Sequence, residues 1–288
     1  MAAAPARARG GTRGALARAL RSWRTRTGLA LMGIVMVVAL AGPWFAPHGS
    51  SELLGLPFDG PQAEFPFGTD TLGRDVLSRF LSGGRSLVSM SLAATAFGIA
   101  LGATLGLFAA YCKGNIDELI MRLVDIKLAF PSVVFALLIV TMFGPGRVLL
   151  VFLVGLSQAP SVARVIRGAA LSVVEREYVQ YAQAIGLSGG RIVFREILPN
   201  VTSALLVEVG LRLMWSISLL AGLSFLGFGI QPPAADWGLM INENRNALSV
   251  QPWAVIVPIA AIATFTIGGN IFAEGLARAI GRTDGVGA

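Results

Sequence analysis

The sequence is poor in the residues from which most catalytic and metal sites are built. Cys112 is its only cysteine and His48 its only histidine. A single cysteine excludes an intrachain disulfide, and one of each residue disfavours zinc or iron–sulfur ligation and any histidine-based triad. His48, beside Pro47 at the end of an apolar run, reads as a surface loop residue. Lysine is almost missing too, with only Lys113 and Lys127. Neither stands in a G-x-x-x-x-G-K-[ST] phosphate loop, and "GGTRG" near the start is too short to serve as one. A resident nucleotide site is therefore not expected, and neither is a bound metal or cofactor. Charge is scarce as well: 14% of the 288 residues are Asp, Glu, Lys or Arg, against about a quarter in a soluble domain.

What fills the gap is apolar. Hydrophobic residues make up 55% of the chain, and the mean hydropathy is +0.71. The apolar runs are long and continuous rather than alternating, which selects membrane-spanning helices over a β-barrel. The pattern predicts an all-α membrane protein with six transmembrane helices, at about 28–46, 86–111, 128–144, 148–167, 201–228 and 253–277. The third and fourth form a hairpin at "GPGR". An external loop is expected at 47–85, and 86–280 forms a five-helix core that includes a cytoplasmic segment, 168–200.

Arginine sets the orientation. With the amino terminus inside, the inner segments hold 17 Lys plus Arg and the outer loops five. That bias places both termini in the cytoplasm. The seven arginines of segment 1–27 then face anionic headgroups rather than nucleic acid. An organelle transit peptide or a secretory signal is disfavoured, because only one serine precedes the first helix and "AGPWFAPH" is a poor cleavage site. A short arginine-containing tail, 281–288, closes the chain.

The cytoplasmic stretch "EYVQYAQAIGLSGGRIVFREILPN" breaks the apolar pattern. Glu175, Val179, Ala182 and Gly186 recur at helical spacing and define one face, small toward its end. Gly186 suits the position just past a helix, Ser188 can cap a second short helix at about 189–197, and Pro199 suits the first turn of the next one. Helix, turn, short helix and membrane helix thus follow in order. Spacing alone leaves a docking knob and an ordinary surface hairpin equally open.

Within the fifth helix, Glu208 and Arg212 are four apart and can pair. They read either as an ion pair that fixes packing or as neighbours of a translocation path, with Trp215 and Ser216 one turn on. In the external loop, Asp70, Arg74 and Asp75, and farther on Asp236 and Trp237, read as helix caps, surface pairs and an interfacial anchor. The segment "NIDELIMRLVDIK" reads as an amphipathic helix on the inner surface.

The polar stretch resembles the "EAA" motif of ABC-importer permeases, with Ala182, Gly186 and Leu198-Pro199 in register. Gln180, Tyr181 and Glu196 depart from it. Four further stretches, "FGTDTLGRDVLSRFLSGGRSL", "IDELIMRLVDIKLAFPS", "LSFLGFGIQPPAADWG" and "PWAVIVPIAAIATFTIGGNIFAEGLARAI", are similar to the C-type permease subunit of dipeptide, oligopeptide and nickel importers. Ala221 stands where many relatives carry an acid. The resemblance implies a type I ABC-importer permease architecture in the bacterial inner membrane. It also implies a sibling permease subunit, two ATP-binding subunits carrying ATP and Mg, and an external substrate-binding protein.

On that resemblance Glu177, Gln180, Tyr181, Ala182, Gly186, Leu187, Arg191, Leu198 and Pro199 couple to the ATPase. Asp70, Arg74, Asp75, Asp236 and Trp237 become candidates for docking the binding protein, and Glu208, Arg212 and Trp215 for the substrate path. The cargo expected is a di- or oligopeptide, with a metal chelate as the other possibility. The reading set against the importer is an ATP-independent, ion-coupled carrier or channel, with Glu208 carrying the proton.

Overall fold

The computed structural model describes residues 22–284, with side chains to residue 278. The arginine cluster up to residue 21 and the end of the tail lie outside the described residues. Ten α-helices organise the described chain. They are α1 (Trp23–Ala41), α2 (Val76–Cys112), α3 (Gly114–Ala129), α4 (Ser132–Phe143), α5 (Arg147–Val174), α6 (Glu177–Ala184), α7 (Gly189–Ile192), α8 (Leu198–Phe225), α9 (Trp237–Asn244) and α10 (Trp253–Asp284). Five stretches are long and apolar enough to cross a membrane, and α3 with α4 make a sixth if their bent pair counts as one crossing.

Helix starts follow local chemistry. Ser22 caps α1 through its hydroxyl, which accepts from Thr25 N–H at 3.1 Å, so this helix begins before the apolar run does. Asp75 caps α2 by accepting from Leu77 and Ser78 N–H. The helix therefore starts at Val76, ten residues before the expected position, so Arg79 and Arg85 are helical rather than in a loop.

The third crossing differs most from expectation. The amphipathic segment and the helix expected over 128–144 are α3 and α4, which meet at an 82° bend, and α4 spans only the twelve residues Ser132–Phe143. Pro131 supplies the cause: its ring disfavours an α conformation at Phe130, which is extended with φ −87° and ψ 124°.

At the centre, α2 and α5 run parallel with their backbones almost touching. A Cβ added at Gly98 would lie 2.8 Å from the Gly155 carbonyl oxygen, at Gly102 2.4 Å from that of Ala159, and at Gly106 2.4 Å from that of Ala163. Three glycines at four-residue spacing therefore form a groove that only a small-residue ridge can enter. Polar groups add a clamp to α8. Thr95 and Ser216 share a hydrogen bond of 2.8 Å, and Gln158 donates to Ser216 at 2.6 Å, all three buried. Ser216 consequently faces the interior of the bundle, which removes it as a neighbour of the path. Gln158 carried no signal in the sequence, because a lone amide in an apolar run has no local partner.

Candidate functional site

At the cytoplasmic end, α6 stops in a turn built by its own backbone. Gly186 has φ +77°, Leu187 N–H reaches the Ala182 carbonyl at 3.1 Å, and Gly186 N–H reaches that of Gln183 at 3.0 Å. This is the Schellman arrangement, which requires a left-handed residue just past the helix. From Gly189 onward the helix runs without a break to Phe225. It passes through a π-helical turn at Val193–Ile197, where Pro199 has no N–H to return to Arg195. The hairpin is therefore a rigid extension of α8.

Its faces differ from the expected assignment in one respect. Val179 and Ala182 point inward, packed with Ile192, Val193 and Ile197 against Leu107, Val173 and Val174. The small face of α6 is thus the inner lining of the hairpin, and Ala182 is removed from the outer contact set. Periodicity identified a face but carried no sign for inside and outside. The exposed set is Glu177, Gln180, Tyr181, Ile185, Gly186 and Arg191, with Pro199 exposed and Leu187 and Leu198 half-buried. Tyr181 is 68% and Ile185 55% exposed, large side chains for a surface that meets only water. Ser188 occupies the cap position of α7, but its hydroxyl makes no cap bond.

The external end has the opposite character. Asp70, Arg74, Asp75, Asp236 and Trp237 are each at most 2% exposed. None of them can touch a docked protein directly, which corrects both the docking assignment and the reading as surface pairs. Arg74 and Arg79 instead bridge two acids. Arg74 reaches Asp70 at 2.7 Å and Glu243 at 2.9 Å, and Arg79 reaches Asp70 at 3.2 Å and Glu243 at 2.8 Å. The loop is further tied to α9 by Thr71 N–H donating to the Asn244 side chain at 3.0 Å. Gln251 donates to the carbonyls of Asp59 and Phe67, both at 2.9 Å.

Asp236 caps α9 by accepting from Leu239 N–H at 3.1 Å. Burial pushes its carboxyl above the usual range, while the cap N–H groups of Leu239 and Gly238 pull the other way. Trp237 stacks on Phe80 with ring centroids 5.3 Å apart and donates to the Phe80 carbonyl at 2.8 Å. The cap is a closed block in which the start of α2, the loop and α9 hold one another. Its exposed surface is the segment 51–64, where Ser51–Leu56 and Gly60–Glu64 face outward.

Inside the membrane, Glu208 is buried and accepts from Arg212 Nε at 2.8 Å. The four-residue spacing thus does pair them. Trp215 lines an apolar groove of about 390 Å³ with Val133, Leu219 and Leu223, so the broken third crossing and α8 share a wall.

Known proteins share this sequence pattern and fold. Residues 102–282 match the family described as the binding-protein-dependent transport system inner membrane component. The chain belongs to this family. The permease is 36% identical over 222 residues to a glutathione transport system permease protein, GsiD, of Pectobacterium atrosepticum, which covers 77% of this chain and 74% of that one. It is 35% identical over 260 residues to the di/tripeptide transport system permease protein DppC of Pseudomonas aeruginosa, covering 88% and 86%. A dipeptide transport system permease protein of Alkalihalophilus pseudofirmus is 34% identical over 258 residues. A solved structure of the MetNI methionine ABC transporter in an inward-facing conformation superposes with a TM-score of 0.53, over 69% of this chain and 96% of that one. At 14% identity that likeness concerns the fold. The permease is a multi-pass inner-membrane subunit of an ABC importer, a transport component rather than an enzyme.

Proposed function

We propose that this permease forms half of the translocation path for di- and oligopeptides, glutathione among them, and completes it with a sibling permease subunit. Two ATP-binding subunits, which carry ATP and Mg, drive it from the cytoplasmic side. An external binding protein delivers the peptide. The observation that carries this reading is the hairpin. Its inner face is packed, its outer face exposes Tyr181 and Ile185, and its second arm continues into α8 without a break. A partner that moves the outer face must move a membrane helix with it.

The exposed set Glu177, Gln180, Tyr181, Gly186 and Arg191, with Leu187, Leu198 and Pro199 at its edge, is the ATPase-coupling surface. On the far side, the buried Asp70–Arg74–Arg79–Glu243 lattice holds segment 51–64 as the surface the binding protein meets. Asp75, Asp236 and Trp237 support that surface from below. Glu208, Arg212 and Trp215 flank the path. The alternative of a self-sufficient proton carrier has less support, since Arg212 occupies the Glu208 carboxylate at 2.8 Å.

The test is purification of the tagged chain from its native membranes in mild detergent, followed by reconstitution. Recovery of a second permease, an ATPase and a binding protein, with ATP-dependent uptake of a labelled dipeptide, supports the reading. Recovery of this chain alone, with uptake persisting in ATP-free vesicles under an ion gradient, overturns it.

A further inference from the structure

Helix α3 does not lie flat on the inner surface, as its amphipathic sequence led one to expect. It leaves the end of α2 at Gly114, yet Ile120, Val124 and Lys127 line one cavity with Leu101, Leu105 and Leu156. Leu101 stands eleven residues above Cys112 on α2, about 16 Å at 1.5 Å per residue. Helix α3 therefore climbs alongside α2 and α5 toward the break at Phe130.

It presents three faces on the way. Asp117, Ile120, Val124 and Lys127 pack inward, with Asp117 held in a two-point pair to Arg167 at 2.5 Å for each bond. Ile116, Leu119, Leu123 and Ile126 form an apolar face 54–60% exposed. The third face is polar. Asn115, Glu118, Arg122 and Asp125 recur at three- and four-residue spacing, all exposed. Glu118 pairs with Arg122 at 2.5 Å, and Asp125 with Arg164 of α5 at 2.5 Å. The side chains of these four charged residues are 58–72% exposed.

Charges so exposed on a membrane helix face water or a cavity filled with it, because hydrocarbon makes them costly. A broken helix is tolerated at such depth where it borders protein or a water-filled cavity. Both conditions meet on this stripe.

We propose that the Asn115–Glu118–Arg122–Asp125 stripe, completed by Arg164, walls the cytoplasmic mouth of the translocation path. Its signs run minus, plus, minus, plus, with each charge beside its opposite. Such a wall offers a partner to both the ammonium and the carboxylate of a zwitterionic peptide and traps neither. A wall of one sign would hold one terminus and slow release. The proposal rests on the transport reading above and names the residues that line its exit.

Single-cysteine variants in a Cys112→Ser background test it, using the assembled complex in inside-out vesicles and a charged, membrane-impermeant thiol reagent. Arg122→Cys is the main probe, because both interhelix pairs survive in it. Asp125→Cys is the second probe, and Ile116→Cys and Ile126→Cys are the apolar controls. In the nucleotide-free complex the polar positions label at least tenfold faster than the controls. When ATP and vanadate trap the ATPases closed, labelling at Arg122→Cys and Asp125→Cys falls at least tenfold.

Equal labelling in both states would mean a surface open to cytoplasm or headgroups, and would overturn the proposal. Protection in the complex but not in the isolated chain, whatever the nucleotide, would mean a subunit interface and would overturn it too. Labelling reads the wall directly and uptake reads the transport assignment. A complex that gates its cysteines yet moves no peptide breaks only the assignment of cargo.

Discussion

The two ends of the permease hold their charges in opposite ways. At the external end four charged side chains, Asp70, Arg74, Arg79 and Glu243, pair with one another largely out of solvent. At the cytoplasmic end the hairpin turns Glu177, Gln180, Tyr181 and Arg191 outward, with an apolar core only on its inner side. The external block is complete in this chain, whereas the hairpin leaves one face without a partner among the described residues. Stability and coupling should therefore fail separately under substitution.

The largest expected effect is at Arg79. Its loss leaves Asp70 and Glu243 sharing one cation in a buried setting, which costs about 3–5 kcal/mol. Arg79→Ala should lower the thermal midpoint of the detergent-solubilised chain sharply, whether or not partners are present. Gly186→Ala comes next. A Cβ there meets no atom of the chain within 4 Å, so the cost is confined to the left-handed backbone, about 1–2 kcal/mol. The isolated chain should survive while ATP-dependent uptake falls by tenfold or more. Gly190→Ala is the control, since its added Cβ is equally unobstructed and its φ is not positive. Normal coupled uptake in Gly186→Ala would erase the contrast between the two ends.

Smaller again is Tyr181→Ala, an exposed substitution expected to move stability by less than about 0.5 kcal/mol. Its signature is ATPase activity that no longer responds to the binding protein. The smallest effect concerns Asp236. Burial raises its carboxyl above the ordinary value, so the protonated form is the one the fold favours. Its contribution is full below the unfolded value near 3.8 and declines as pH rises through the raised one. Asp236→Asn retains a cap acceptor and has no such slope. Thermal midpoints measured upward from pH 4 should therefore drift down in the native chain relative to the variant. Parallel profiles would show that the cap is indifferent to that charge.

The same contrast explains what could be read from residues alone. The helix count, the arginine bias and the turn at Gly186 are local properties, set within a few residues by hydropathy and backbone sterics. The burial of Arg74 and Arg79 is not local. It depends on Glu243, 169 and 164 residues away, and without that partner an arginine in a Gly- and Asp-rich loop reads as surface. Spacing puts Ala182 on one face with Val179, but the direction of that face is fixed by Ile192 and Val193 on the opposite arm. The boundary before Pro131 is legible to within a few residues, but its 82° bend is not, because composition does not register an angle.

The glycine groove between α2 and α5 has a mechanical consequence. Backbones this close leave no layer of long side chains to shear, and every sliding step would drive a carbonyl into a Cα. The pair behaves as a strut with one end in the external block and the other at the hairpin. Sliding between α2 and α5 is therefore disfavoured, and the two should move together. Spin labels placed along α2 and α5 should keep one separation through the transport cycle, while distances from either helix to the sibling subunit change.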